Sequence, residues 1–246
     1  SFILIRLFTR LCGLALLAFS FVFSLALLSF NSEDPSFNTV STDDQISNWM
    51  GSFGSHISDL SFQFIRKDIE QLNREALDGC YDVTAISFGA YPELRACYDL
   101  LTAGSSIQEG TGPVVVSRRP LAPDDLDGLT LAIPGARTSA YLALRKWRAG
   151  LRVEILPFDQ ILPAVAEGRF EAGLLIHESQ LMYQDLGLQL VVDLGAWWKE
   201  ALDLPLPMGG NAIRRDLDPE IKARFARLMR KSVEVARDRH WESIDY

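Results

Sequence analysis

The sequence predicts an α/β fold built around a mostly parallel sheet. Short apolar runs typical of strands alternate with segments of helical spacing, and the loops between them are short. No internal repeat or low-complexity tract interrupts this alternation. Ligands of such sheets bind beyond the carboxyl ends of the strands, so candidate functional residues are expected there.

The predicted elements begin with a helix within 68–79, where apolar residues recur at helical spacing until Gly79 ends the pattern. The glycine-rich loop at 102–112 lacks the Gly-Lys-Ser/Thr of a phosphate-binding loop. The other elements, in chain order, are a strand at 81–88, a helix at 92–101, a strand at 113–119, a turn plus a strand at 125–135, a helix at 138–150, a strand at 152–158, a helix at 159–168, a strand at 170–176, an apolar segment at 187–195, an aromatic and proline-rich segment at 196–210 and a helix at 219–238.

The N-terminal part differs in composition. Residues 11–30 carry no charge and would span ~30 Å as a helix, the thickness of a hydrocarbon core. A cleaved signal peptide is the alternative, but the run is long and no A-x-A site follows. Basic residues before it and acidic residues after it predict a single-pass membrane protein with residue 31 onward outside. Residues 31–64 are predicted to be a polar linker with a weak helix around 43–49.

Composition excludes several function classes. The net charge is −8 with scattered Lys and Arg, so nucleic acid is not an expected partner. No pair of cysteines has the CxxC spacing of a zinc site, and no group of histidines has metal-ligand spacing. We therefore expect neither a metal nor a disulfide framework. The residues concerned are Cys12, Cys80, Cys97, His56, His177 and His240.

His177 is the strongest candidate for acid–base chemistry. It directly follows the apolar run 173–176, and two other predicted strands end at Ser87 and at Pro134-Gly135. An imidazole titrates near neutral pH and suits a general acid or base. The alternative is a core histidine bonded to a backbone carbonyl. Glu178 could orient His177, or it could be a solvated surface charge, since neighbouring residues on a strand point apart.

Two further segments have two interpretations each. The helix predicted at 138–150 begins at Thr138 or Ser139, where free N–H groups could bind a carboxylate or phosphate, or could be ordinarily capped. Trp197 and Trp198 could form a lid or belong to the core.

Five blocks occur in the order and spacing of one enzyme family. They are "LNREALDGCYDVTAISFGAY" (72–91), "GTGPVVVSRR" (110–119), "LAIPGARTSAYL" (131–142), "FDQILPAVAEGRFEAGLLIHES" (158–179) and "GLQLVVDLGAWWKEALDLPLPMGG" (187–210). Residues 65–246 thus resemble 1,4-dihydroxy-6-naphthoate synthase of the futalosine route to menaquinone. The resemblance implies a cofactor-free carbon–carbon lyase that cleaves cyclic dehypoxanthinylfutalosine, in a cytoplasmic family.

The resemblance also implies a two-lobed fold like a type II periplasmic binding protein, with residues 65–112 and 196–246 in the first lobe and 113–195 in the second. The family's proton acceptor falls on His177. Its substrate contacts fall on two short segments. The family's opening strand and Pro-Cys-Pro-Asn-Asp loop do not precede Ile65, and its C-terminal end extends beyond Tyr246, so the fold is expected to be incomplete. The substrate-contact positions are Ala85, Ile86, Ser87, Ser139 and Ala140.

Residues 5–64, with "DPSFNT" and "NWMG", resemble the N-terminal membrane segment of the cell-division DNA translocase. None of the translocase's motor motifs is present. The chain therefore combines two unrelated resemblances that meet near residue 64. Three hypotheses follow: an active synthase, a membrane-anchored module that binds a small carboxylate without turnover, and an inactive fusion.

Overall fold

Two β-sheets organise the part of the chain that the computed structural model describes, residues 65–238. The first sheet is antiparallel, and its long strand β9 pairs with all three other strands. Those strands are β1 (Val83–Ser87), β2 (Tyr98–Leu100), β3 (Ser106–Gln108) and β9 (Leu206–Arg214).

The second sheet is mixed, with the strand order β6-β5-β7-β4-β8. The parallel pairs are β5 with β6 and β5 with β7, whereas β4 runs antiparallel to both β7 and β8. The predicted α/β class is confirmed, but the prediction of a mostly parallel sheet is wrong. A strand buried on both faces is an apolar run whichever way its neighbours run, so composition does not reveal strand direction. The strands are β4 (Val114–Ser117), β5 (Thr130–Ile133), β6 (Arg152–Ile155), β7 (Ala172–Leu175) and β8 (Gln189–Asp193).

Seven α-helices lie before, between or after these strands within residues 65–238. The helices predicted at 68–79, 138–150, 159–168 and 219–238 are confirmed. Two 3-10 turns, Pro123–Leu126 and Tyr183–Leu186, complete the described elements. The helices are α1 (Ile69–Leu77), α2 (Tyr91–Leu94), α3 (Ser139–Trp147), α4 (Phe158–Ala166), α5 (Ser179–Met182), α6 (Leu194–Leu202) and α7 (Pro219–Asp238).

The prediction of one helix over 92–101 is wrong beyond Leu94. The chain turns there, and Tyr98–Leu100 becomes a strand against β9. The reason is tertiary: the Tyr98 ring is fully buried, and its hydroxyl donates a hydrogen bond to the carbonyl oxygen of Tyr81 at 2.7 Å. The segment predicted as a glycine-rich loop likewise contains β3, which pairs with β9.

The central strands β5, β7 and β4 of the second sheet are covered on both faces, which explains why they are apolar. Alternate residues of each strand point to opposite faces. On β7, Leu174 joins the core cluster that packs on α3 and α6, whereas Leu175 joins the cluster that packs on α4. Trp198 of α6 packs against the first of these clusters, so the core interpretation of that tryptophan is confirmed.

Gly173 of β7 packs closely against α4. A Cβ atom there would lie 2.7 Å from Cγ2 of Ile161 and 2.8 Å from Cγ2 of Val165. We expect Gly173→Ala to lower the free energy of unfolding by about 1–3 kcal/mol, because an overpacked core must shift its backbone or adopt strained rotamers. Urea unfolding measures this. Glu154→Ala on the exposed strand β6 is the control, and an equal effect of both changes would contradict the packing argument.

The predicted membrane localisation is corrected by the structure. Between residues 65 and 238, no helix is both long enough and apolar enough to cross a membrane. The predicted span at 11–30 and the weak helix around 43–49 lie outside the described residues.

Candidate functional site

A cleft of about 230 Å³ lies beside the ends of strands from both sheets. The structure brings four of the six predicted site residues to its wall: Ser87, Ser139, Ala140 and His177. The complete lining consists of Ile69, Ser87, Ser106, Gln108, Met208 and Gly209 on the side of the first sheet and of Thr138, Ser139, Ala140, Ile176, His177 and Gln180 on the side of the second.

His177 leaves the sheet through an unusual backbone conformation. Strand β7 ends at Leu175, Ile176 is still buried, and His177 has a left-handed φ of 56° with an exposed side chain. Residues other than glycine rarely adopt this backbone conformation, and those that do cluster at functional sites. The turn delivers the imidazole to the cleft, so the alternative of a core histidine is wrong.

The His177 ring is held by packing rather than by hydrogen bonds. The Phe158 ring at the start of α4 meets it edge-on, with 5.1 Å between the ring centroids. Among the described residues, no group hydrogen-bonds to the imidazole nitrogens. The side chain of Glu178 is exposed, and among the described residues it forms no ion pair with His177, in agreement with its interpretation as a surface charge.

The start of α3 combines ordinary capping with unpaired donors. The Thr138 hydroxyl accepts a hydrogen bond from the Tyr141 N–H at 3.2 Å, which confirms the capping interpretation. The Ser139 hydroxyl donates to the carbonyl oxygen of Met208 at 2.5 Å and accepts from the Gly89 N–H at 3.0 Å. Within residues 65–238, the N–H groups of Ser139 and Ala140 have no acceptor. They leave partial positive charge at the cleft wall.

Ser87 is fixed by Asn73, which the sequence analysis did not single out. The fully buried Asn73 side chain accepts from the Ser87 N–H at 2.8 Å and donates to the Ser87 hydroxyl at 3.0 Å. The one available signal was that Asn73 interrupts the apolar stripe of α1. A polar residue at a core position needs a partner, and this one holds the carboxyl end of β1.

Ala85 and Ile86 lie outside the cleft wall. The Ile86 side chain is fully buried in the core beneath the first sheet, and Ala85 is exposed opposite Asn211 of β9. Their predicted substrate contacts, like those of the other site residues, stay predictions.

Glu70 joins α1 to the loop before α3. Its carboxylate accepts a hydrogen bond from the Arg137 N–H at 3.1 Å and occupies the space that a side chain at Gly135 would need. The Arg137 guanidinium in turn pairs with Glu93 at 3.1 Å. Burial raises the pKa of the Glu70 carboxyl above its usual 4.5, and the N–H groups of Arg137 and Ala136 offset only part of that effect.

This raised pKa predicts a pH dependence of stability. The folded state binds the Glu70 proton more tightly than the unfolded state, so stability falls as the pH rises from 4.5 through the folded pKa. Glu70→Gln keeps an oxygen for the Arg137 N–H but carries no charge. We expect a higher urea midpoint for this variant at pH 7 and no gain at pH 4. Glu93→Gln is the control. A gain in the urea midpoint of equal size at pH 4 and at pH 7 would rule out ionisation of Glu70 as its cause.

Metal ligation has no support in the described part of the chain. No group of three or more His, Cys, Asp or Glu side chains there could hold a metal ion.

Comparisons with known proteins agree with both resemblances seen in the sequence. Residues 46–246 match the family model described as menaquinone biosynthesis, and residues 5–65 match that of the 4TM region of DNA translocase FtsK/SpoIIIE. A 1,4-dihydroxy-6-naphthoate synthase of Thermus thermophilus is 43% identical over 74% of this chain and 66% of the relative. The same enzyme of Streptomyces coelicolor is 36% identical over 70% of this chain and 62% of the relative. The chain thus spans less than two thirds of the length of either relative.

Solved structures agree on the fold. A protein from Archaeoglobus fulgidus is 46% identical, with a TM-score of 0.70 over 74% of this chain and 68% of its own. The solute receptor for L-cysteine of Neisseria gonorrhoeae is 11% identical, with a TM-score of 0.50 over 72% and 68%. The second similarity concerns the fold alone and indicates a periplasmic-binding-protein-like α/β architecture.

Proposed function

Since this chain belongs to the menaquinone biosynthesis family, we propose that it cleaves cyclic dehypoxanthinylfutalosine and releases 1,4-dihydroxy-6-naphthoate, with His177 as the general base. The observation that carries the proposal is the left-handed turn that delivers an imidazole to the cleft wall. The reaction is a carbon–carbon lyase reaction that uses no cofactor.

His177 accepts the proton whose removal starts the cleavage. Its ring nitrogens have no hydrogen-bond partner among the described residues, so a substrate can reach them without displacing a protein group. Contact with the Phe158 ring restricts the plane of the imidazole. A base that is held in place in this way can accelerate a proton transfer by about 10²–10⁴-fold.

The start of α3 holds a carboxylate or another oxygen-rich group of the substrate. The unpaired N–H groups of Ser139 and Ala140 lie at the positive end of the helix dipole and line the same cleft as His177. Ser87, held by Asn73, contacts the substrate from the first sheet. Ala85 and Ile86 contribute by supporting the strand that ends at Ser87.

We also propose that the cleft lies between two lobes, residues 65–112 with 196–246 and residues 113–195. The division is supported by the sheets, because β1, β2, β3 and β9 fall in the first group and β4 to β8 in the second. Glu70 and Ser139 each bond to the opposite group, at Arg137 and Met208. These bonds hold the lobes together, and closure around the substrate excludes water from the reaction.

The test incubates the full chain with cyclic dehypoxanthinylfutalosine and follows the release of 1,4-dihydroxy-6-naphthoate by mass spectrometry. Circular dichroism confirms that the preparation is folded. Product above a no-protein control is expected. Binding of the substrate by folded protein without any product would replace the enzyme proposal with that of a binding module.

A further inference from the structure

The cleft wall contains a buried hydrogen-bond acceptor without a partner. Oε1 of Gln108 is shielded and has no donor among the described residues. The only other such side-chain atom between residues 65 and 238 is Nε1 of Trp198, which does not line the cleft. Buried polar atoms are nearly always paired, because an unmade hydrogen bond costs stability. An exception on a residue that lines a cleft marks an atom that a ligand could satisfy.

The backbone around Gln108 supports this interpretation. Strand β3 pairs with β9 through a register shift between Ser106 and Ile107. Such irregularities change the direction of side chains and are frequent beside active sites. Here Ser106 and Gln108 line the cleft, whereas the Ile107 side chain between them is 58% exposed. The strand therefore exposes an apolar side chain to solvent while its polar neighbours line the cleft.

We infer that Gln108 is a specificity-determining residue, whose amide oxygen accepts a hydrogen bond from a hydroxyl group of the ligand. The inference rests on the proposed function, in which the product carries both a carboxylate and hydroxyl groups. An amide oxygen accepts only from a donor, so it pairs with a hydroxyl and not with a carboxylate. The carboxylate belongs at the N–H groups of Ser139 and Ala140. The two polar ends of the ligand thus bind different walls of the cleft, which sets its orientation.

The test compares two ligands that differ only in their hydroxyl groups. Binding of 1,4-dihydroxy-6-naphthoate and of 2-naphthoate, which keeps the ring system and the carboxylate, is measured by calorimetry under argon with the full chain. The variant is Gln108→Met, which keeps the length of the side chain and removes the acceptor. The control is Gln189→Met, at an exposed glutamine of strand β8 outside the cleft.

We expect the wild type and Gln189→Met to bind the dihydroxy ligand at least about 10-fold more tightly than 2-naphthoate. The reason is that the amide oxygen of Gln108 stays unpaired when the bound ligand lacks the hydroxyl group. Gln108→Met should bind both ligands within about 3-fold of each other. Its affinity for 2-naphthoate should not fall, and its melting temperature without ligand should equal or exceed that of the wild type, since no buried acceptor is left unpaired.

Each other outcome has a distinct meaning. The role of Gln108 is overturned if Gln108→Met still prefers the dihydroxy ligand, or if the wild type binds both ligands equally well. Either result leaves the proposed function standing. A lower melting temperature of Gln108→Met with equal loss of affinity for both ligands shows a structural role instead. Failure of the folded wild type to bind either ligand overturns the proposed function and this inference with it.

Discussion

Replacing His177 with asparagine is expected to reduce the release of 1,4-dihydroxy-6-naphthoate by about 10²–10⁴-fold, the usual contribution of a general base. Asparagine tolerates the left-handed conformation that residue 177 adopts, with φ at 56°, so the turn after β7 should persist. The substitution therefore removes the base without removing the backbone geometry. Alanine would be a less clear test, because its Cβ is strained in this conformation.

The measurement pairs the product assay with urea unfolding. His177→Asn should unfold within about 0.5 kcal/mol of the wild type, as substitutions outside the core usually do. Glu178→Gln is the control, since it changes the adjacent exposed residue and should retain most of the activity. A His177→Asn protein that keeps a third or more of the wild-type rate would exclude His177 as the base.

Asn73→Ala is expected to produce the largest loss of stability among the variants considered, about 2–5 kcal/mol. Two buried groups lose their partner, the N–H and the hydroxyl of Ser87, and each unpaired buried group costs about 1–3 kcal/mol. Such a loss is a large part of the ~5–15 kcal/mol that stabilises a typical domain. The end of β1 should also loosen, so residual activity should show a raised KM.

Urea unfolding of Asn73→Ala, Ser87→Ala and the double variant tests this pair directly. The double variant should cost less than the sum of the single changes by about 0.5–3 kcal/mol, because the Asn73 side chain bonds only to Ser87 and the Ser87 hydroxyl only to Asn73 among the described residues. Asn211→Ala, which removes one exposed hydrogen bond to the carbonyl oxygen of Gly104, is the control and should cost less than about 1 kcal/mol. Additive costs would show that Asn73 stabilises α1 by itself and does not position Ser87.

The candidate site could be predicted from the sequence only in part. His177 follows a predicted strand, Ser87 lies at the end of another, and Ser139 and Ala140 begin a predicted helix; all four line the cleft. Gln108 could not be found in this way, because its segment has the composition of a loop and becomes a strand only through pairing with β9. Composition describes a residue's immediate neighbours in the chain, whereas β3 depends on a partner about a hundred residues away.

The same distinction applies to the whole chain. The sequence by itself determined the helices at Ile69–Leu77 and Pro219–Asp238, the apolar strands and the family, because periodicity and sequence blocks are local. Only the tertiary structure decided the antiparallel direction of β4, the end of the helix at Leu94 and the left-handed turn at His177. It also decided the bond between Asn73 and Ser87, since such features arise from contacts between distant segments whose energies exceed local preferences.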